Sequence, residues 1–187
     1  MNEKEKMQKG LLYDANYDES LKSERIRAKK ICQQYNSLPY ENFEQKNKLL
    51  KELLGKTGDN FTIEPSFYCD YGYNIEIGEN FYSNHNLVIL DPGRVVFGDN
   101  VFIGPNCGFY TANHPLSPEI RNKGLEDAKP IFVGNNVWFG GNVTVLSGVT
   151  IGNNCTIGAG SVVVKSIPDN SLAVGNPCRV IKKIPIN

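Results

Sequence analysis

The chain has 187 residues, 20 Lys+Arg against 20 Asp+Glu, and 40% hydrophobic content. That length suits one domain with a small appendage. The balanced charge excludes a nucleic-acid binder driven by bulk charge, and the apolar content excludes a disordered chain. No stretch approaches 18 uninterrupted apolar residues, so the sequence predicts no membrane span.

The N-terminus is charged (Glu3, Lys4, Glu5, Lys6) and lacks an apolar run, which predicts no signal peptide and a cytoplasmic protein. Residues 1–60 hold 22 of the 40 charged residues but only 3 of the 18 glycines. This part reads as helical. Leu21, Ile26, Ile31 and Tyr35 recur near helical spacing on a background of Lys, Arg and Glu. Pro39 interrupts, and a second short helix runs to Leu53 and Leu54 before Gly55 and Gly58. The expected boundary gives an N-terminal helical cap over 1–58 and a repeat domain over 59–187.

The repeat domain carries a six-residue period. Val133, Phe139, Val145, Ile151, Ile157 and Val163 are all apolar. At this composition a run of six arises by chance with a probability of roughly 0.004. Glycine follows in four of the six cases, at Gly134, Gly140, Gly152 and Gly158. Upstream, Phe97, Ile103 and Phe109 form one ladder. Ile77 belongs to another, started by Ile63 and Cys69, and a two-residue insertion at Asp91-Pro92-Gly93 offsets the two. Gly-x-Asn recurs at 78–80, 98–100, 104–106, 134–136, 140–142 and 152–154. Glycine and asparagine tolerate positive φ, so the pattern predicts tight turns that bend short strands in one sense. Six-residue strands joined this way make a β-helix, with about 18 residues per coil and roughly five coils.

The period stops between Tyr110 and Lys129, which predicts an extruded loop over 111–130 containing His114. The five cysteines are Cys32, Cys69, Cys107, Cys155 and Cys178. Their odd number and wide spacing, without C-x-x-C, predict reduced thiols rather than a disulfide framework or a cysteine zinc site. Cys107 and Cys155 fall at small inward positions and read as core filler.

Several motifs together carry a resemblance. They are Tyr110-Thr111-Ala112-Asn113-His114-Pro115, Asn135-Asn136-Val137-Trp138-Phe139-Gly140-Gly141, Leu12-Tyr13-Asp14, Phe81-Tyr82-Ser83-Asn84 and the ending Gly175-Asn176-Pro177-Cys178-Arg179-Val180-Ile181. With the repeats, they resemble the hexapeptide-repeat acetyltransferases, and more narrowly the maltose and galactoside O-acetyltransferase group. The resemblance implies a mainly β fold, a left-handed parallel β-helix packed as a homotrimer with sites between subunits. It implies transfer of an acetyl group from acetyl-CoA to a sugar hydroxyl, with no metal.

A sugar hydroxyl is a poor nucleophile at neutral pH and needs a base, a task that suits histidine. His114 matches the family's catalytic histidine, and Glu126 matches a position that would orient it. Asn84 matches a residue near the reacting atoms and the acceptor, and the Gly141 amide could help receive developing negative charge. Asp14, Asp70 and Asp91 match acceptor-side positions, where carboxylates accept hydrogen bonds from vicinal hydroxyls. For coenzyme A, Gly140, Gly141, Ala159 and Gly160 leave room for the pantetheine arm, and Trp138 packs against it. Lys165, Arg179, Lys182 and Lys183 supply cations for the phosphates. Gly141 and Val164 depart from the serine and threonine found in relatives. Pro92 replaces a second acidic residue of some members, which leans the acceptor toward the maltose-like branch. His85 reads as peripheral.

Other functions fit less well. A metal enzyme on this scaffold needs three histidines, and the chain has two. A non-sugar acceptor (an antibiotic hydroxyl, serine or an amino sugar) is the alternative for an acetyltransferase, because acceptor choice depends on pocket shape. A non-catalytic binding solenoid leaves His114 without a purpose.

Overall fold

The computed structural model describes residues 1–185. Helix α1 (Glu3–Gln8) starts at an Asn2–Glu5 capping box, a short element with no apolar stripe to reveal it in the sequence. Helix α2 (Glu19–Ser37) is N-capped by Asp18, and α3 (Phe43–Leu53) follows the Pro39 break. In α2 the buried stripe is Leu21, Ala28, Ile31, Cys32 and Tyr35. Ile26, expected on that stripe, is 45% exposed. Five residues past Leu21, it lies well round the helix from the buried face.

From Phe61 onward the chain winds as a parallel β-helix with three faces. The first face stacks Ile75–Glu76, Val95–Phe97, Ile131–Val133 and Thr150–Ile151. The second stacks Phe61–Ile63, Phe81–Ser83, Val101–Ile103, Val137–Phe139, Thr156–Ile157 and Ser171–Val174, closed by antiparallel Arg179–Lys183. The third stacks Phe67–Cys69, Leu87–Leu90, Gly108–Tyr110, Thr144–Leu146 and Val162–Val163.

The predicted turns are present. Asn80, Asn100, Asn106, Asn136, Asn142 and Asn154, the last residues of all six Gly-x-Asn motifs, have φ between 53° and 59°. Their side chains also bind coil to coil: Asn80 donates to Asn100, Asn100 to Asn136, Asn136 to Asn154 and Asn154 to Asn170, at 2.8–3.2 Å. Glycine is required where coils stack closest. A Cβ on Gly140 would lie 2.6 Å from the Ala159 nitrogen, and one on Gly104 would lie 2.7 Å from the Gly140 carbonyl carbon.

Coil length is not uniform. Phe61 pairs with Phe81 and Ser83 with Ile103, steps of 20 residues, whereas Trp138 pairs with Thr156 and Thr144 with Val162, steps of 18. The expected insertion at Asp91-Pro92-Gly93 therefore has a twin at Asp70-Tyr71-Gly72. The twin escapes a reading by period because Ile75 and Ile77 are both apolar and both face inward. One corner of the prism, leading from the third face to the first, takes every extra residue: two in each of the first two coils and the long loop in the third.

Inside, Phe81, Phe97, Phe109 and Phe139 form an edge-to-face column, with centroids 4.9–5.3 Å apart. Ala28, Ile31, Cys32 and Tyr35 of α2 join the same core, so the helices close the open end of the coil. Cys107 and Cys155 are buried, as expected of core filler.

Candidate active site

The extruded loop is ordered. Ala112–Asn113 pairs antiparallel with Leu125–Ala128, which pairs in turn with Tyr13–Asp14 near the N-terminus. A short helix, α4 (Pro118–Arg121), forms the tip. The loop's base is fixed by Thr111, whose Oγ1 donates to the Leu90 carbonyl at 2.8 Å and accepts from the Gly93 amide at 2.9 Å. Asn113 donates to Ser147 Oγ at 2.7 Å, so the residue before His114 is held against the coil below.

His114 stands 56% exposed, with Nε2 3.9 Å from Glu126 Oε2, and the Glu126 side chain is only 15% exposed. The Tyr13–Glu126 register places Tyr13 beside this carboxylate, and the buried Tyr13 hydroxyl donates to Oε1. The two Glu126 oxygens therefore divide, one toward Tyr13 and one toward His114. Burial pushes the Glu126 carboxyl up, while the Tyr13 hydrogen bond and His114 pull it down. Burial and the Glu126 charge push the Tyr13 phenol far above its ordinary value, so Tyr13 stays a donor.

The acidic candidates sort by burial. Asp70 has no hydrogen bond on its carboxylate among the described contacts and lines an open cavity of about 580 Å³ beside α2. Burial raises its pKa, against the pull of Lys29 and Arg25. Asp14 Oδ1 accepts from the Asn16 and Tyr17 amides at 3.1 and 2.9 Å, which ties half of that carboxylate into a turn. Asp91, expected on the acceptor side, is the most enclosed of the three. It is fully buried, and its carboxylate accepts from the Asp70, Tyr71 and Gly72 amides at 2.7–3.0 Å. Burial pushes it up to about 7, against those three donors. Asp91 holds the corner that presents Asp70, with both carboxylate oxygens bound to backbone amides.

Two residues escaped the sequence reading. Tyr13 lies 113 positions from Glu126, and no local pattern marks the pair. Arg25 donates to the Tyr71 hydroxyl at 2.7 Å and the Ala15 carbonyl at 2.5 Å, placing a fixed positive charge behind Asp70 and Glu126. In the sequence it is one cation of a charged helix.

Most of the cofactor-side candidates lie elsewhere on the prism. Asn84 leads off the corner between the second and third faces, where Asn84–Asn86, Gly104–Asn106, Gly140–Asn142 and Gly158–Gly160 stack. Gly141 and Ala159 share that corner. A Cβ on Gly160 would meet nothing within 4 Å, and one on Gly141 would meet ordinary contacts at 3.4 Å, so this edge is open. Trp138 is 57% exposed and borders a cavity of about 310 Å³ with Phe102, Asn136 and Thr156. The register Trp138–Thr156–Leu172–Lys182 puts Lys182 on the same outward row. Val164 and Lys165 are exposed at the loop-bearing corner, two coils below the loop. Arg179 is exposed in the final strand, where Nη1 donates to the Cys178 carbonyl. The Lys183 ammonium is engaged with Asp169 and Ser171. His85 contacts the Pro65 carbonyl through Nδ1 and lies away from His114.

These placements leave two half-sites. His114, Glu126, Asp70 and Asp14 gather at the loop-bearing corner. Asn84, Gly140, Gly141 and Ala159 gather at another, and no described contact joins the groups.

Comparison with known proteins identifies the family. The maltose acetyltransferase hexapeptide capping motif matches residues 6–58, and the bacterial transferase hexapeptide model matches residues 130–165. Galactoside O-acetyltransferase from Escherichia coli is 45% identical over 166 residues, which span 89% of this chain and 82% of that protein. A maltose O-acetyltransferase from Clostridium difficile 630 superposes with a TM-score of 0.97 at 48% identity, covering 100% of this chain and 99% of that one. A galactoside acetyltransferase in complex with coenzyme A superposes with a TM-score of 0.95 at 43% identity, covering 99% and 92%. With such likeness over nearly its whole length, the chain belongs to the maltose and galactoside O-acetyltransferase family of hexapeptide-repeat acetyltransferases.

Proposed function

We propose that this acetyltransferase moves an acetyl group from acetyl-CoA to a sugar hydroxyl, with His114 as general base. Acetyl-CoA supplies the acetyl group as an activated thioester. The observation that carries the reading is the line Tyr13–Glu126–His114 on an anchored loop. His114 takes the proton of the attacking hydroxyl, Glu126 steadies the imidazolium that results, and as the thioester C–S bond breaks His114 returns the proton to the departing sulfur. The Tyr13 bond favours the ionised carboxylate that this task needs. The Asn84 amide and the Gly141 N–H act as donors to negative charge developing on the carbonyl oxygen. Asp70, with an uncommitted carboxylate facing a cavity, accepts hydrogen bonds from acceptor hydroxyls, and Asp14 assists with its free oxygen.

The open glycine edge and the exposed Trp138 fit a thin, partly apolar arm such as pantetheine. Lys165, Arg179 and Lys182 fit the phosphates as cations. The two half-sites occupy different corners of one chain, so a working site needs a corner from each of two subunits. A homotrimer of parallel prisms meets that need, with residues 1–58 capping each coil and residues 59–187 forming the catalytic β-helix.

The test follows release of free CoA from acetyl-CoA with maltose, glucose, galactosides, serine and chloramphenicol. Turnover on a sugar that His114→Ala abolishes supports the reading. Faster turnover on serine or chloramphenicol overturns the sugar assignment, and an undiminished rate in folded His114→Ala removes the histidine from the mechanism.

A further inference from the structure

The Sγ atoms of Cys32 and Cys69 face each other at 3.8 Å, both residues buried. Cys32 belongs to α2, and Cys69 ends the first strand of the third face. The approach is held by a bracket. Asn36, one helical turn beyond Cys32, donates through Nδ2 to the Phe67 carbonyl at 3.0 Å and accepts through Oδ1 from the Phe67 amide at 2.9 Å. Phe67 lies two residues before Cys69 and so shares its side of the strand. The bracket therefore sets the register between helix and strand where the thiols meet.

The other thiols are placed differently. Cys107 donates to the Gly140 carbonyl at 3.2 Å and Cys155 to the Pro168 carbonyl at 3.3 Å, as inert filler. Burial pushes Cys107, Cys155 and Cys178 up. Cys32 is instead pulled down by its hydrogen bond from Cys69, and Cys69 is pushed up by the same bond and by burial. One member of the pair is thus the better thiolate. The open cavity of about 580 Å³ is lined by both cysteines, with Lys29, Gln33, Tyr68 and Asp70, so a small reagent has a route to the pair.

We propose that Cys32 and Cys69 form a dithiol modification site that a hydroperoxide converts to an intramolecular disulfide, stapling α2 to the first coil. The Cys32 thiolate attacks a peroxide oxygen, the O–O bond breaks, and the departing hydroxide takes a proton to leave as water. The sulfenic acid on Cys32 is then attacked by the Cys69 sulfur. The S–S bond forms, the S–O bond breaks, and the Cys69 proton leaves with the hydroxyl as a second water. Two thiols are oxidised and one peroxide is reduced to two waters. Closing from 3.8 Å to a bond of about 2.05 Å is shared between two side chains.

The full chain is treated with a small excess of hydrogen peroxide, then denatured and capped with N-ethylmaleimide. Intact mass and peptide mapping read the result. The expected outcome is three capped cysteines of the five, a mass lower by two hydrogen atoms before capping, and one bridge joining Cys32 to Cys69. The melting temperature rises by about 5 °C and returns with dithiothreitol. Under the same dose Cys32→Ser keeps all four of its remaining thiols, whereas Cys69→Ser forms no bridge and carries its oxidation on Cys32 alone. Five capped cysteines after oxidation, a bridge to any other cysteine or another chain, or sulfinic acid without a bridge overturns the proposal.

Discussion

At the residue scale, the proposed proton-handling groups are an exposed histidine and a buried carboxylate whose second oxygen is held by a tyrosine. His114→Ala removes the proposed base without touching the core. The expected loss in kcat is about 10²- to 10⁴-fold with an unchanged melting curve, checked by CoA release and thermal unfolding. Tyr13→Phe keeps the ring and deletes the donor to Glu126. Because that bond lowers the Glu126 pKa, its loss raises it, and the carboxylate is ionised only above a higher pH. The acid limb of the kcat/KM profile therefore moves to higher pH, with KM for acetyl-CoA unchanged; an unmoved limb removes Tyr13 from the proton relay. Asp91→Ala leaves the Asp70, Tyr71 and Gly72 amides unpartnered in a buried corner. The expected cost is about 2–5 kcal/mol of stability by denaturant unfolding.

At the element scale, stacking geometry sets what each turn tolerates. Gly140 and Gly141 are adjacent, yet a Cβ meets backbone at 2.6 Å in the first and ordinary contacts at 3.4 Å in the second. Gly140→Ala should lower the melting temperature by several degrees, and Gly141→Ala should leave it within about a degree. Equal melting points for the two variants would contradict this account of the corner. The turn asparagines were legible in the sequence because Gly-x-Asn is a local signal for positive φ, and each predicted position adopts it. Helix α2 was legible as a helix, but its buried face was misplaced at Ile26, because charged surroundings blur a weakly amphipathic stripe. The second corner insertion was hidden for a related reason: Ile75 and Ile77 both satisfy an inward pattern.

At the scale of the whole molecule, the half-sites at two corners make a testable case for sites shared between subunits. The expected mass in solution is three times the 20.8 kDa chain mass, read by light scattering. His114→Ala and Asn84→Ala should each be inactive alone. Unfolded together and refolded as mixed trimers, they should recover about a quarter of wild-type activity, the share of sites that pair an intact His114 with an intact Asn84. No recovery from correctly mixed trimers would place both residues in one chain's site. The sequence by itself determined the hexapeptide coil, its turns, the interrupting loop and the histidine within it, because each rests on residues close together in the chain. Only the tertiary structure decided that Tyr13 grips Glu126, that Arg25 backs Asp70, that Asp91 is sealed beneath its corner and that Cys32 meets Cys69. These contacts join residues 19 to 113 positions apart, and nothing in local spacing distinguishes such partners from any other tyrosine, arginine, aspartate or cysteine.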